Sequence, residues 1–281
     1  MKKFLLFFYR IYKRAKFNIQ WRIDIKEEGW KIKKEDVSIS ELPKGKKLVL
    51  IPHSDDEWIG CSSLLKRDDD VILCNMDMDG NDDESTHRRR FDEMRTVADT
   101  YKRKLITSGG DKVIFVKKVL AEEKPEFVML PFFVDWHEEH IAVMDILEKA
   151  LSGIEINHKL KIAMYQVSLP ILIPHVTHCV KMDKKELTQK WKLFKKYYES
   201  QKKIIPIGRY KANERINGAY ANSYACEVFS VVDVKKWLEI RDDFNLSAEE
   251  KKELQKNLQF VSKMRMLLKK YILIANYRGE Q

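Results

Sequence analysis

The sequence predicts an α/β protein whose mostly parallel sheet is flanked by helices, with extra helices at its N- and C-terminal ends. Three observations predict it. Short, continuous apolar runs with β-branched members recur through the middle of the chain, segments of helical character alternate with them, and Pro (7) and Gly (10) are sparse among 281 residues. A continuous apolar run suits a strand whose sheet is covered on both faces, and intervening helices supply the crossovers that parallel pairing requires. The expected arrangement is Rossmann-like.

Residues 1–45 read as a basic N-terminal extension that ends in the turn signal Leu42-Pro43-Lys44-Gly45. Leu48-Val49-Leu50-Ile51 is the first predicted strand, followed by a polar loop and a helix from Trp58 to Lys66. Val71-Ile72-Leu73-Cys74 repeats the strand signature, Thr86 to Lys102 has helical character, and Val113 to Glu123 reads as a further helix. Phe127-Val128-Met129-Leu130 is a strand, Glu138 to Leu151 a helix, and Lys161 to Val167 the next strand. Met182 to Lys203 reads as a basic helix and Tyr224 to Val232 as a strand. Residues 247–270 form a terminal helix with an N-cap at Ser247 and a capping-box Glu250. The predicted division is 1–45, a main α/β domain 46–240, and a C-terminal helical extension 241–281.

A chain of this length can bury the core an enzyme needs, and no internal repeat or low-complexity tract suggests a solenoid. Cys61, Cys74, Cys179 and Cys226 lack the spacing of a zinc knuckle or a disulfide framework, which fits a reducing cytoplasm. The net charge of +10 collects in residues 1–34, in residues 181–215 and beyond Ser247. It favours anionic partners without naming one. The start of the chain, Met1 to Arg10, resembles a signal peptide, but its apolar run is short and Arg10, Lys13, Arg14 and Lys16 follow where a cleavage site would stand. It also falls far below the roughly 20 apolar residues of a spanning helix. Two readings of residues 1–16 stay open: a helix lying peripherally on an anionic membrane, on its cytoplasmic face, or one packed on the main domain.

The chemistry sits in two loops, each following a predicted buried strand. His53-Ser54-Asp55-Asp56-Glu57 follows the first strand, and Asp135-Trp136-His137-Glu138-Glu139-His140 follows Phe127 to Leu130. Open α/β sheets bind ligands at the carboxyl ends of their strands, so segments about eighty residues apart can meet there. A catalytic zinc takes three protein ligands and keeps a position for water, a set that His53, Asp56 and His140 can supply. Asp55 is then placed to take a proton from metal-bound water, and a protonated His137 to stabilise the oxyanion, oriented by Glu139 or Asp135. Each motif alone is weak, since an acidic run is usually a solvated loop or a helix start.

Together the motifs resemble the LmbE-like, PIG-L deacetylase family, zinc-dependent enzymes that remove N-acetyl groups from glucosamine-containing substrates. Ile51-Pro52-His53-Ser54-Asp55-Asp56-Glu57 is similar to its A-H-P-D-D-E, and Asp135 to His140 to its D-x-H-x-D-H. Arg90-Phe91-Asp92-Glu93 resembles R-x-x-E, Tyr198-Glu199-Ser200-Gln201 resembles Y-x-S-Q, and Cys226-Glu227-Val228-Phe229 more loosely resembles A-E-x-F. The resemblance, spanning residues 47 to 232, implies zinc on His53, Asp56 and His140, with Asp55 as general base. It implies His137 as oxyanion stabiliser and donor to the leaving amine, Glu139 in place of an orienting Asp, and Arg90 as a substrate contact. Three departures stand out: Ser54 for Pro, Glu138-Glu139 for Pro-Asp, and an unusually acidic form, Asp77 to Glu84, of the glycine-containing segment usual after the second strand. Zn²⁺ is the expected ion, with Fe²⁺ as the alternative. The expected substrate is an N-acetylated amino sugar, free or lipid-linked. Two other readings are a 2-His-1-carboxylate iron enzyme, against which Asp55 argues, and a basic membrane or nucleic-acid binder with structural histidines. No motif for specific nucleic-acid recognition accompanies the basic stretches.

Overall fold

Lys47–Ile51, labelled β2, is buried along its whole length and organises the sheet. The computed structural model describes residues 2–31, 39–68, 70–78, 83–155, 159–244 and 246–271. Before β2 come α1 (Lys2–Lys31) and β1 (Ser40–Glu41); after it come α2 (Asp56–Arg67), β3 (Val71–Asn75), α3 (Glu84–Thr100) and β4 (Lys104–Thr107). Next are α4 (Lys112–Glu123), β5 (Phe127–Pro131), α5 (Glu138–Leu151), β6 (Lys161–Tyr165) and β7 (His178–Met182). The chain continues through α6 (Lys184–Tyr197), α7 (Ile207–Tyr220), β8 (Ala225–Asp233), α8 (Val234–Asp243), α9 (Ala248–Asn257) and α10 (Val261–Leu268).

The strands form one sheet in the order β1-β7-β8-β6-β5-β2-β3-β4. All neighbouring pairs are parallel except β8, which runs antiparallel to both β6 and β7. The fold is therefore the expected Rossmann-like one. From β2 the chain winds outward through β3 and β4, then returns to lay β5 against the other side of β2, with Leu48 opposite Val128 and Val49 opposite Met129. The reversal between β2 and β5 is a topological switch point, and the loops leaving both strands open at the same edge.

Side chains alternate across the sheet with a period of two. Leu48, Leu50, Ile72, Val128, Leu130 and Ile162 join one apolar layer, while Val49, Ile51, Leu73, Met129, Ala163 and Tyr165 join the other. Full burial of each large aliphatic side chain stabilises by roughly 1.5–3 kcal/mol, against about 0–1 kcal/mol for an exposed ion pair, so these layers hold the sheet. Gly60 lets α2 close on this sheet, because a Cβ there would stand 2.4 Å from the ring of Tyr165.

Several elements depart from expectation. β1, β4, β7, α7 and α8 are additional. The basic helix ends at Tyr197 instead of Lys203, because Tyr198 turns out of it to donate its hydroxyl to Glu57 and Ser200 turns to Glu93. Ser247 does cap a helix with Glu250 in a reciprocal box, but the predicted 247–270 helix is two, broken at residues 258–260. There Phe260 meets Phe17 edge-on at 5.9 Å, and the Gln259 carbonyl accepts from the Trp21 indole at 3.0 Å.

The second half of α1 thus packs on the protein, with Trp21 and Ile25 against Ala212, Ile216 and Val261. Along its outward side Phe8, Tyr12, Ile19 and Ile23 are exposed at helical spacing. The side chains of residues 1–7, 10, 11 and 14, residues 79–82 of the acidic segment, and residues 272–281 lie outside the described residues. Among the described residues no helix is long and apolar enough to cross a membrane.

Candidate active site

The switch point brings the two motif loops together. β2 delivers His53 to Glu57, and β5 delivers Asp135 to His140, with His137 at the N-cap of α5 and His140 one turn inside it. His53 Nδ1 lies 3.2 Å from Asp56 Oδ2 and 3.2 Å from His140 Nε2, and the last two atoms are 3.3 Å apart. Donor atoms at about 2.0–2.1 Å from a tetrahedral metal stand roughly 3.4 Å from one another, so this near-equilateral triangle fits one divalent ion. The donor chemistry, two imidazoles and a carboxylate, fits as well. His137 is the next nearest ligand type: donor atoms of His53, His137 and His140 all fall within 4.8 Å of one another.

Electrostatics support the cluster. Burial alone would raise the Asp56 carboxyl, but His140 and His53 outweigh it and hold that group far below the usual carboxylate range. Burial alone would lower His140, yet the carboxylates of Asp135 and Asp56 push it up to about 10. Asp135 Oδ2 accepts from His140 Nδ1 at 2.8 Å, which fixes the ring so that Nε2 faces the triangle. Asp135 therefore orients His140; the expected pairing of Asp135 with the His137 ring is replaced by a bond from the His137 backbone N–H, at 2.9 Å.

His137 is half-buried, stacked 4.7 Å from the His140 ring and tilted against Trp136 at 4.9 Å. Glu139 Oε2 comes within 2.7 Å of its Nδ1, an ion-pair approach without the alignment of a hydrogen bond, and 3.8 Å from His53 Nε2. Burial, then the neighbouring imidazoles His140 and His53, lower the His137 pKa despite Asp135 and Glu139.

Asp55 is buried between the ligand candidates in sequence and holds φ at 145°, a conformation an L-residue adopts only at a cost of order 1–3 kcal/mol. Its backbone N–H donates to Glu57 Oε2 at 3.2 Å. Glu57, fully buried, also accepts from Tyr198, and burial pushes its carboxyl up to about 8. Glu57 thus braces the strained loop. The tether from Tyr198, with Ser200 donating to Glu93 at 2.9 Å through its backbone, gives the Tyr198 to Gln201 segment its place at the cavity edge.

The cluster opens into a cavity of about 670 Å³. His53, Asp55, Asp56, His137, Glu139, His140 and Arg90 all line it, so the expected ligands, base, oxyanion stabiliser and substrate contact meet there, while Asp135 holds the far nitrogen of His140. Gln201, Arg209, Tyr210 and the 258–259 turn complete the wall. Arg209 and Tyr210 belong to α7, which carried no signal in the sequence.

Solved structures bear on this arrangement. The conserved protein TT1542 from Thermus thermophilus is 20% identical over 66% of this chain and 93% of its own, with a TM-score of 0.55. The chain shares the fold of that protein. A zinc-inhibited form of teicoplanin deacetylase shares that fold at 12% identity, covering 67% of this chain and 98% of its own, with a TM-score of 0.51. A pseudoaglycone deacetylase, Dbv21, is similar at 15% identity, 68% and 98% coverage and a TM-score of 0.50. No protein-family model and no curated protein matches the chain.

Proposed function

We propose that this protein is a metal-dependent N-deacetylase that hydrolyses the acetamide of an N-acetylated amino sugar in a glycan, glycolipid or other glycoconjugate precursor. The observation that carries the reading is the triangle of His53 Nδ1, Asp56 Oδ2 and His140 Nε2, with Asp55 on the same cavity wall. The shared fold with deacetylases supports it. His53, Asp56 and His140 would hold Zn²⁺ or Fe²⁺, which supplies Lewis acidity toward the amide carbonyl and lowers the pKa of water toward about 7.

Asp55 accepts the proton of the attacking water, held in place by its strained backbone and the bond from its N–H to Glu57. His137 stabilises the oxyanion and passes a proton to the leaving amine. Burial and the neighbouring imidazoles lower its pKa, which makes its proton easier to give up, and Glu139 lies beside it to support the cationic ring. Arg90, half-buried on α3, contacts the sugar or its substituent.

The test is acetate release from a panel of free, nucleotide-linked and lipid-linked N-acetylhexosamines, with metal analysis. Chelation should abolish release and added Zn²⁺ or Fe²⁺ restore it. Asp55→Asn should keep its metal and lose about two to four orders of magnitude in turnover; full turnover in that variant would refute the mechanism.

We further propose that α1 rests on the anionic cytoplasmic face of a membrane. Exposed Phe8, Tyr9 and Tyr12 beside exposed Lys13 and Lys16 support this, as the composition of an interfacial helix. Phe8→Ser with Tyr12→Ser should reduce sedimentation with phosphatidylserine vesicles; unchanged sedimentation would remove α1 from the interaction.

A further inference from the structure

We infer that the start of α7, with Arg209 at its centre, is an anion subsite that holds a phosphate carried by the substrate. The inference rests on the deacetylase reading for the sugar, but not for the phosphate.

Arg209 is only 6% exposed, yet it lines the cavity. Its Nη1 donates to the Leu258 carbonyl at a long 3.3 Å, and its guanidinium lies 4.5 Å from the ring centre of Tyr210, beside that phenol. Its Nε makes no hydrogen bond. Among the described residues no carboxylate lies within ion-pair distance of it. The fully buried lysines differ: Lys47 has Asp68 at 2.6 Å, and Lys190 has Glu214 at 2.6 Å and Glu227 at 2.7 Å. A buried cation without a counter-charge is costly, and an anion entering the cavity would remove that cost.

Three further features converge on the same place. Helix α7 is 14 residues long and begins after Pro206, which lines the cavity and offers no side-chain cap, so its positive dipole end is unscreened by a capping group. Gly208 allows the Trp21 ring to pack on that first turn, where a Cβ would come within 2.0 Å of it, and this packing fixes the turn beside Arg209. Arg90 brings a second guanidinium to the cavity from α3. The acids Asp55, Asp56 and Glu139 come instead from the loop after β2, the start of α2 and the start of α5. Such a cavity suits a substrate with an amide at one place and an anion at another.

A planar guanidinium binds phosphate oxygens in preference to a neutral hydroxyl. The ligand is therefore an amino sugar carrying a phosphate monoester or a phosphodiester. The phosphate could belong to a soluble nucleotide or to a lipid headgroup, which share this chemistry.

Calorimetric titration of the full chain with inorganic phosphate and with N-acetylglucosamine 1-phosphate tests this without turnover. Arg209→Gln should weaken both by about tenfold or more, and Arg209→Lys should recover part of the loss. Equal phosphate binding in Arg209→Gln and the unaltered protein would overturn the subsite. Should Arg209→Gln fail to fold, the unaltered protein decides: it should bind the 1-phosphate at least about tenfold more tightly than N-acetylglucosamine, with the gap narrowing in salt, and equal affinities would overturn the inference. UDP-N-acetylglucosamine in solution and an N-acetylglucosaminyl diphosphate lipid in vesicles then separate the two sources. Arg209-dependent phosphate binding without acetate release from any substrate would leave the subsite standing and remove the deacetylase reading. Acetate release with no preference for phosphorylated sugars would do the reverse.

Discussion

Helix α2 takes part in two buried polar clusters within two turns, and they are neutralised differently. Its first residue, Asp56, belongs with His53 and His140, whose donor atoms converge on a point at the cavity wall, and with Asp135, which holds His140 from its other nitrogen. Further along, Ile59 O, Ser62 and Ser63 belong with Lys190, Glu214 and Glu227, where the Lys190 ammonium sits 2.7 Å from Ile59 O and 2.7 Å from Glu227. The second cluster carries its cation on a side chain that is 0% exposed. The first presents acceptors to a shared point and opens to solvent. A buried carboxylate with a fixed lysine reads as structure; one sharing a point with imidazoles at a cavity reads as a place for an ion from solution.

The strongest way to break this comparison is to remove the built-in cation. Lys190→Met should destabilise the protein by about 3–5 kcal/mol, because Glu214 and Glu227 would be left buried together, and burial already raises Glu214. The shift should appear in the urea midpoint, and adding Glu214→Gln and Glu227→Gln should return much of it. A Lys190→Met midpoint equal to that of the unaltered protein would mean water replaces the ammonium. Next in size is Asp135→Asn, which weakens the bond that aims His140. It should lower metal affinity about 10–100-fold, measured by competition with a chelator, while leaving the urea midpoint of the metal-free protein within about 1 kcal/mol.

The smallest effect sharpens the comparison with a buried group kept neutral. His175 packs among the rings of Phe132 and Phe133, and burial pushes its pKa down to about 4, below an unfolded value near 6.5. The unfolded chain therefore binds the proton more readily, so stability holds above pH 6.5, falls as the pH drops toward 4, and is level again below it. At pH 5.5 the loss is about 1.4 kcal/mol. His175→Phe should flatten this part of the stability profile; an unchanged slope would assign it to other groups.

How much of this was legible in the sequence follows from which residues carried a pattern. The strands β2, β3, β5 and β6 announce themselves as apolar runs because both faces are covered, and β8 does so through its β-branched and aromatic members despite Glu227 and Ser230. β4 lies at an edge with Lys104 and Thr107 exposed, and β7 mixes His178 and Lys181 into its run, so neither reads as buried. α7 escapes for another reason: it buries Arg209, Asn213, Glu214 and Asn217 along with its apolar residues, which leaves no hydrophobic stripe to detect. The site residues were legible as two motifs, but their meeting depends on β5 returning to the side of β2. The division of labour between Asp135 and Glu139 depends on side-chain direction, which spacing alone leaves open. Arg209 and Tyr210 had no motif to mark them.

The turn at residues 258–260 carries a practical consequence. Leu258 and Gln259 wall the cavity, and Trp21 and Phe17 of α1 hold that turn in place. A shortened protein cut to residues 46–240 would keep both motifs and the whole ligand triangle, yet it would lose one side of the chamber in which a substrate sits. Such a fragment should therefore bind cavity ligands less selectively than the full chain, so both terminal segments help to shape the cavity that the sheet edge carries.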